Sequence, residues 1–404
     1  MRKGITDKGE VVEFPYDLME QIQLRAREAI EVCVREELDA ALGSKRYERG
    51  EERRGYRNGF QERVITTTAG SRSLRLPRAR IEQPDGSTRE FHSQLLAPYA
   101  RRTRQIDDTI ICTYLSGANS RRIRKALGPL LGEANLSKSA VARVVGRLKE
   151  LFETWQQRDL SQEYYAMLFL DGFHLKVRIA RRVVSVPILA VMGIREDGRK
   201  VLVDLRPAAS EAATHWEGVL KRLQKRGLAA PQLLVVDGHA GLNKALAAWP
   251  GVKVQRCTLH KLRNLLEHCP PHARPEMTRD YHAIVRAQDG LKARAAYDRF
   301  VAKWSRLSPA VAESLQEAGL ELLGFYEFPK PMWKSLRSTN GLENLNREFR
   351  RRTKTQASFS SEDSAVRLLY GLVALGQIEM NKIDGYRALP KLLAGVANAS
   401  AQSA

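Results

Sequence analysis

Met167-Leu168-Phe169-Leu170-Asp171 and Leu233-Leu234-Val235-Val236-Asp237 are the two stretches on which the fold turns. Each is an uninterrupted apolar run of strand length that ends on a carboxylate. Runs without polar alternation read as strands covered on both faces, so two neighbours of this kind would deliver both aspartates to one sheet edge. Glu343, in the helical stretch Asn340-Gly-Leu-Glu-Asn-Leu-Asn-Arg347, offers a third carboxylate from a helix packed on that sheet. Such a trio suits two hard divalent cations, Mg²⁺ or Mn²⁺, which prefer oxygen ligands and promote in-line displacement at phosphorus.

Working outward, the pattern gives a strand from Tyr164 to about Arg178, a second from Val183 to Met192, a turn at Asp197-Gly198 and a third strand from Lys200 to Leu205. These form an antiparallel meander. A helix follows, with Thr214 and Glu217 as a capping box, Trp216, Val219, Leu220 and Leu223 on one face and Gly227 as its stop. Strand Gln232 to Val236, a short helix Leu242 to Ala248, strand Lys253 to Arg256 and a helix from Thr258 complete the order βββαβαβα. That is the order of the ribonuclease H-like fold, an α/β core in which the first and fourth strands run side by side in parallel. Asp171 would then stand against Asp237.

Six segments are expected. A basic DNA-binding region covers 1–91, with a helix from about 17 to 42 (Leu18, Ile22, Ala26, Ile30 and Val34 apolar, Gly43 the stop) and a hairpin-like stretch in which Arg46, Arg57, Arg72, Arg75, Arg78 and Arg80 alternate with Gly, Tyr and Phe. Residues 92–160 are helical. Within them the Ser120 segment, a connector at Gly132 and the Ser137 segment have helix-turn-helix spacing, with Ser137 as N-cap and Arg121 and Arg143 as candidate DNA contacts. The core occupies 161–266 and 336–388, interrupted by an all-helical insertion at 267–335, and 389–404 is a small, polar tail expected to fray.

Composition names the partner. The net charge of +21 and the basic isoelectric point favour a polyanion, nucleic acid before an anionic membrane surface. No run of eighteen apolar residues and no signal core exist, so the expectation is a cytoplasmic protein at the nucleoid, with no membrane partner. Cys33, Cys112, Cys257 and Cys269 are too sparse for a disulfide framework and are expected to be reduced.

Simpler readings stand beside these. Asp-Gly is by default a turn, which suffices for Asp85 and Asp197 and competes with a ligand role at Asp171 and Asp237. Glu343 could cap its helix with Asn340 or pair with Arg347. Against that, Arg347, Arg350, Arg351 and Lys354 would set phosphate-binding charge beside it. Cys257-Thr-Leu-His260 with Cys269-Pro-Pro-His272 could bind zinc. The alternative, a core cysteine and a hydrogen-bonded histidine near the site, fits the short spacing better.

Together, Leu168-Phe-Leu-Asp171-Gly-Phe-His-Leu-Lys-Val-Arg178, Val235-Val-Asp237-Gly-His-Ala-Gly-Leu242, Gln255-Arg-Cys257-Thr-Leu-His260-Lys-Leu-Arg-Asn264 and the stretch from Arg337 through Glu343 to Lys354 resemble the Mutator-type transposases of bacterial insertion sequences. Tyr56-Arg-Asn-Gly59, Leu76-Pro-Arg78, Trp304 and Trp333 extend the likeness over most of the chain. The resemblance implies a DDE transposase with a ribonuclease H-like core whose acidic triad falls on Asp171, Asp237 and Glu343. It also implies a Cys-x2-His signature at Cys257 and His260, and action as a homodimer on paired ends of double-stranded DNA. His239 departs from the residue often found after Asp-Gly in the family. Two readings compete: an enzyme that binds terminal inverted repeats, cleaves strands and transfers them, and a non-catalytic DNA-binding regulator derived from one. A nuclease of the same fold is a third. Retention of all three carboxylates favours the enzyme, and the long basic amino-terminal region favours site recognition over simple cleavage.

Overall fold

A computed structural model describes residues 2–5, 11–14, 18–48, 53–118, 120–131, 137–238, 242, 249–353, 359 and 361–394. Gly132, His239, Lys354, the expected helix over residues 243–248 and the end of the tail lie outside the described residues. The chain divides into two units, Met1–Arg147 and Leu148–Ala404.

In the first unit β1 (Arg2–Ile5) and β2 (Val11–Phe14) pair antiparallel. Helix α1 (Leu18–Leu42) stops at Gly43, whose φ of 69° is open to glycine. Its expected apolar face is only half used. Val34, Leu38 and Leu42 are buried, whereas Leu18 and Ile22 are 74% and 44% exposed. The buried half packs on β4 (Gly70–Glu82), where Leu74, Leu76 and Ala79 face the helix. β3 (Gly55–Thr67) and β5 (Thr88–Glu90) flank β4 in an antiparallel sheet. Helices α2 (Arg104–Leu115), α3 (Ser120–Leu131) and α4 (Lys138–Gln157) follow, the last running across the division. Ser137 caps α4 as expected, its hydroxyl accepting from the Ala140 N–H at 3.1 Å.

The second unit is mixed α/β. Strands β6 (Met167–Ile179), β7 (Arg182–Ile194), β8 (Lys200–Pro207), β9 (Leu233–Val236) and β10 (Lys253–Arg256) make one sheet in the order β10-β9-β6-β7-β8. β6, β7 and β8 are the antiparallel meander; β9 pairs with β6, and β10 with β9, in parallel. The uninterrupted apolar runs are the reason, since the interior strands are covered on both faces.

Helix α5 (Ala213–Lys225) buries Trp216, Val219, Leu220 and Leu223 against Leu168, Leu170, Leu234 and Val236 of the sheet. Truncating Trp216 to Ala there would cost about 3–5 kcal/mol. The expected capping box is corrected: the helix begins at Ala213 with Ala212 as N-cap and no side-chain cap. Thr214 therefore falls inside the first turn, and Glu217 faces Lys221 at 3.7 Å.

Helix α6 (Thr258–His268) leads into α7 (Arg274–Val285), α8 (Gly290–Leu307) and α9 (Pro309–Ala318), then into 3-10 turns. They enclose their own core around Met277, Tyr281, Phe300, Trp304 and Leu315. The chain returns through α10 (Trp333–Leu336) to α11 (Asn340–Thr353) and α12 (Glu362–Ala374). Residue Leu389, placed in the tail by its sequence, is buried and begins a helix over residues 389–394.

Candidate active site

The register of β6 against β9 sets the two aspartates together. Leu170 pairs with Val236, so Asp171 and Asp237 each stand one residue beyond the same rung of two parallel strands. Ligand sites of α/β sheets collect at such carboxyl ends. The turn reading fails at Asp171, because β6 runs on and Gly172 is paired with Leu189 inside it. At Asp237 the two readings coexist, since β9 ends at Val236 and Gly238 has φ 89°, a backbone that favours glycine. Asp85 and Asp197 make ordinary turns, each accepting a backbone N–H two residues on at 2.9 Å.

Asp171 is 5% exposed. Burial, and then the charge of Asp237, push its carboxyl up to about 7; Glu343 and Glu211 add to the rise and His260 opposes it. The neighbouring carboxylates thus crowd around Asp171 closely enough to oppose its ionisation.

Glu343 arrives on α11. The Thr339 carbonyl accepts from the N–H groups of Leu342 at 2.8 Å and Glu343 at 2.9 Å, and Asn340 is the first helical residue instead of the cap. Leu342, Leu345, Asn346 and Phe349 form the buried stripe, with Phe349 against Phe173 of β6. Asn346 Nδ2 donates to Asp171 Oδ2 at 3.4 Å, and Asn346 Oδ1 is buried with no hydrogen-bond partner. The Glu343 carboxylate does not take the alternative Arg347 pair but turns toward α6. Its Oε1 lies 3.2 Å from His260 Nε2 and 3.3 Å from Arg263 Nη1.

Cys257 ties these pieces. Its N–H donates to the Val236 carbonyl at 2.7 Å, directly before Asp237, and its sulfur accepts from the Thr339 N–H and hydroxyl at 3.4 Å each. Burial would raise this thiol, but hydrogen bonding with His260 and Thr339 brings it below its ordinary value. His260 in turn is pushed up to about 9 by its hydrogen-bonding approach to Cys257, against the cost of burial, with the charges of Cys257, Asp171 and Glu343 adding to the rise. Its Nδ1 has no partner of ordinary hydrogen-bond geometry. A zinc cage using both cysteines does not fit this helix. Cys257 and Cys269 flank opposite ends of α6, roughly 18 Å apart at 1.5 Å per residue.

The donor chemistry suits hard divalent cations: carboxylate oxygens, a buried amide oxygen and mutual repulsion that a cation would relieve. Among the described residues no three His, Cys, Asp or Glu side chains stand close enough to enclose an ion as they are. Glu343 is held instead by His260 and Arg263.

The basic residues divide. Arg57 is engaged within its own unit, 2.8 Å from both Asp39 Oδ1 and the Ser44 carbonyl, and Arg78 faces Glu90 at 3.3 Å. Arg75 lies over the Phe60 ring at 4.5 Å, so part of the Arg–aromatic interleaving is internal stacking. Arg121 on α3 and Arg143 on α4 are exposed. Arg347, Arg350 and Arg351 are exposed on α11 at four, seven and eight residues beyond Glu343, on its side of the helix. Arg351 also pairs with Glu348 at 2.6 Å.

Asn346, Arg263 and Glu211 escaped the reading of the sequence. Asn346 left one trace, a polar residue inside the apolar stripe of α11. Glu211 left another in Gly172, where a Cβ would stand 2.6 Å from Glu211 Oε1.

Comparison with known proteins gives one family. The model of the Mutator family of transposases matches residues 10–380. The chain is 34% identical over 356 residues to the transposase for insertion sequence element IS406 of Burkholderia multivorans, covering 86% of this chain and 89% of that protein. It is 34% identical over 354 residues to the transposase for IS1081 of Mycobacterium tuberculosis, covering 87% and 83%. It is 30% identical over 335 residues to the transposase for IS256 in transposon Tn4001 of Staphylococcus aureus, covering 81% and 83%. With carboxylates gathered at the strand ends and a match along most of its length, the chain belongs to the Mutator family of transposases.

Proposed function

We propose that this protein is a DDE transposase with a ribonuclease H-like core, which binds the terminal inverted repeats of an insertion sequence, cleaves at the ends and joins the freed strands to target DNA. The carrying observation is the shared rung Leu170–Val236, which aligns Asp171 and Asp237, with α11 bringing Glu343 to the same edge. The strand order, with the first and fourth strands parallel neighbours, supports the fold reading.

Asp171, Asp237 and Glu343 would hold two Mg²⁺ or Mn²⁺ ions, which when bound activate the attacking oxygen and stabilise the leaving one. Asn346 orients Asp171 by its amide hydrogen bond. His260 and Arg263 hold Glu343 until substrate and cations are present. Arg347, Arg350, Arg351 and Lys354 bring positive charge to the phosphodiester, while Arg121 and Arg143 serve end recognition. A homodimer engages two ends.

The test is strand cleavage and joining on end-containing duplex with Mg²⁺. Asp171→Ala, Asp237→Ala and Glu343→Ala should each abolish both steps and leave end binding nearly intact. Near wild-type cleavage by Glu343→Ala would return that residue to a purely structural role.

A further inference from the structure

Asp237 sits one residue past the end of β9, and the chain just beyond it is held from outside the strand. Arg256, the last residue of β10, pairs with Val236 across the parallel ladder. Its side chain reaches past Asp237 to the next residue, where Nη2 donates to the Gly238 carbonyl at 3.1 Å. Only glycine leaves room for it: a Cβ at position 238 would stand 2.2 Å from Arg256 Nε and 2.3 Å from Nη2.

The same guanidinium is gripped from the helical insertion. Arg256 Nη2 lies 3.0 and 3.1 Å from the two carboxylate oxygens of Glu317 on α9, and Nη1 lies 3.8 Å from Glu321. Lys261, also 4% exposed at its side chain, adds bonds to Glu317 at 2.7 Å and to the Ser314 carbonyl at 2.8 Å. Beside it, buried Gln255 donates to the Leu322 carbonyl at 3.2 Å and accepts from the Phe325 N–H at 2.8 Å. Apolar side chains could fill this space without any such directionality. A buried cation bonded both to an acidic pair and to one backbone carbonyl fixes distance and angle, and it does so one residue from a catalytic carboxylate.

We infer that Arg256 is a positioning residue for Asp237, through which the helical insertion sets where that carboxylate stands. The inference rests on the proposed strand-cleavage reading. Displacement of reacting groups by about 1 Å can cost a hundredfold in rate, so the brace is read in turnover, not in affinity.

The experiment uses the full chain with end-containing duplex and Mg²⁺, comparing wild type with Arg256→Lys, Glu317→Gln and Asp171→Asn. Arg256→Lys retains a cation for Glu317 but lacks the planar fork that also reaches Gly238. Arg256→Lys and Glu317→Gln should each cleave roughly tenfold to a hundredfold more slowly at saturating DNA, with unchanged half-saturating DNA concentration. Amide hydrogen exchange of the peptide covering residues 233–238 should quicken in both variants. Wild-type cleavage rates and exchange in both variants, with only a lowered melting temperature, would overturn the inference. Asp171→Asn guards the underlying reading: should it cleave like wild type, the catalytic assignment fails first and the inference falls with it.

Discussion

His260 Nε2 stands 3.2 Å from Glu343 Oε1, linking the helix after β10 to the helix that carries the third carboxylate. The histidine is kept protonated by its surroundings, so this is a charge-assisted contact between two partly buried side chains. It gives the Cys-x2-His spacing a physical meaning without a metal: the cysteine anchors the start of α11, and the histidine one turn along α6 holds the glutamate borne on it.

Loss of the imidazole should therefore lower catalysis through Glu343. We expect His260→Ala to slow strand cleavage roughly tenfold to a hundredfold, as removal of a ligand-orienting partner does, with end binding unchanged. Single-turnover cleavage beside a gel-shift titration checks this. Equal rates for variant and wild type would leave His260 no part in placing the glutamate.

Cys257→Ser should act on stability first. The sulfur accepts two bonds from Thr339 in a buried setting, and a smaller hydroxyl cannot span the same 3.4 Å distances. About 1–3 kcal/mol of unfolding free energy should be lost. Denaturant melts measure it, and metal analysis of protein purified without chelator should find no stoichiometric zinc. One zinc per chain that disappears with Cys257 would reverse the assignment.

The Glu317 brace predicts a pH dependence. Burial raises this carboxyl, but bonds from Lys261 and Arg256 outweigh it and hold the group below its ordinary value of 4.5. A depressed carboxyl contributes stability that is present above 4.5 and is lost as pH falls through the lower folded value. Glu317→Gln should thus be less stable than wild type near neutrality, by roughly 1–3 kcal/mol after allowance for a half-exposed carboxylate. The two melting curves should converge in acid. A gap that stays constant down to pH 3 would show that ionisation of Glu317 contributes nothing.

Arg57 and Arg143 should separate stability from recognition. Arg57 joins β3 to the end of α1 through Asp39 and the Ser44 carbonyl, so Arg57→Ala should cost about 1–3 kcal/mol of stability. Arg143 is exposed on α4, and Arg143→Ala should leave the melt alone while reducing the slope of log affinity against log salt by about 0.9, one phosphate contact. A changed salt slope for Arg57→Ala would restore it to the DNA-contacting set expected from the sequence.

What the sequence by itself determined is what local pattern encodes. Unbroken apolar runs of strand length read as doubly covered strands, and Trp216, Val219, Leu220 and Leu223 as one helix face. Their order, taken as that of a ribonuclease H-like core, puts Asp171 against Asp237, and the Leu170–Val236 rung agrees. The partners of each polar group were decided by tertiary structure alone. Glu343 had a plausible local partner in Arg347 and took His260 and Arg263 instead, because α6 packs against its helix. Thr339 meets Cys257 across 82 residues, and Asn346 meets Asp171 across 175. Arg256, at the end of its strand in the sequence, is a buried clamp. Periodicity records which face of an element is apolar; it carries no record of which distant element will cover that face, and hydrogen-bond partners follow from the covering.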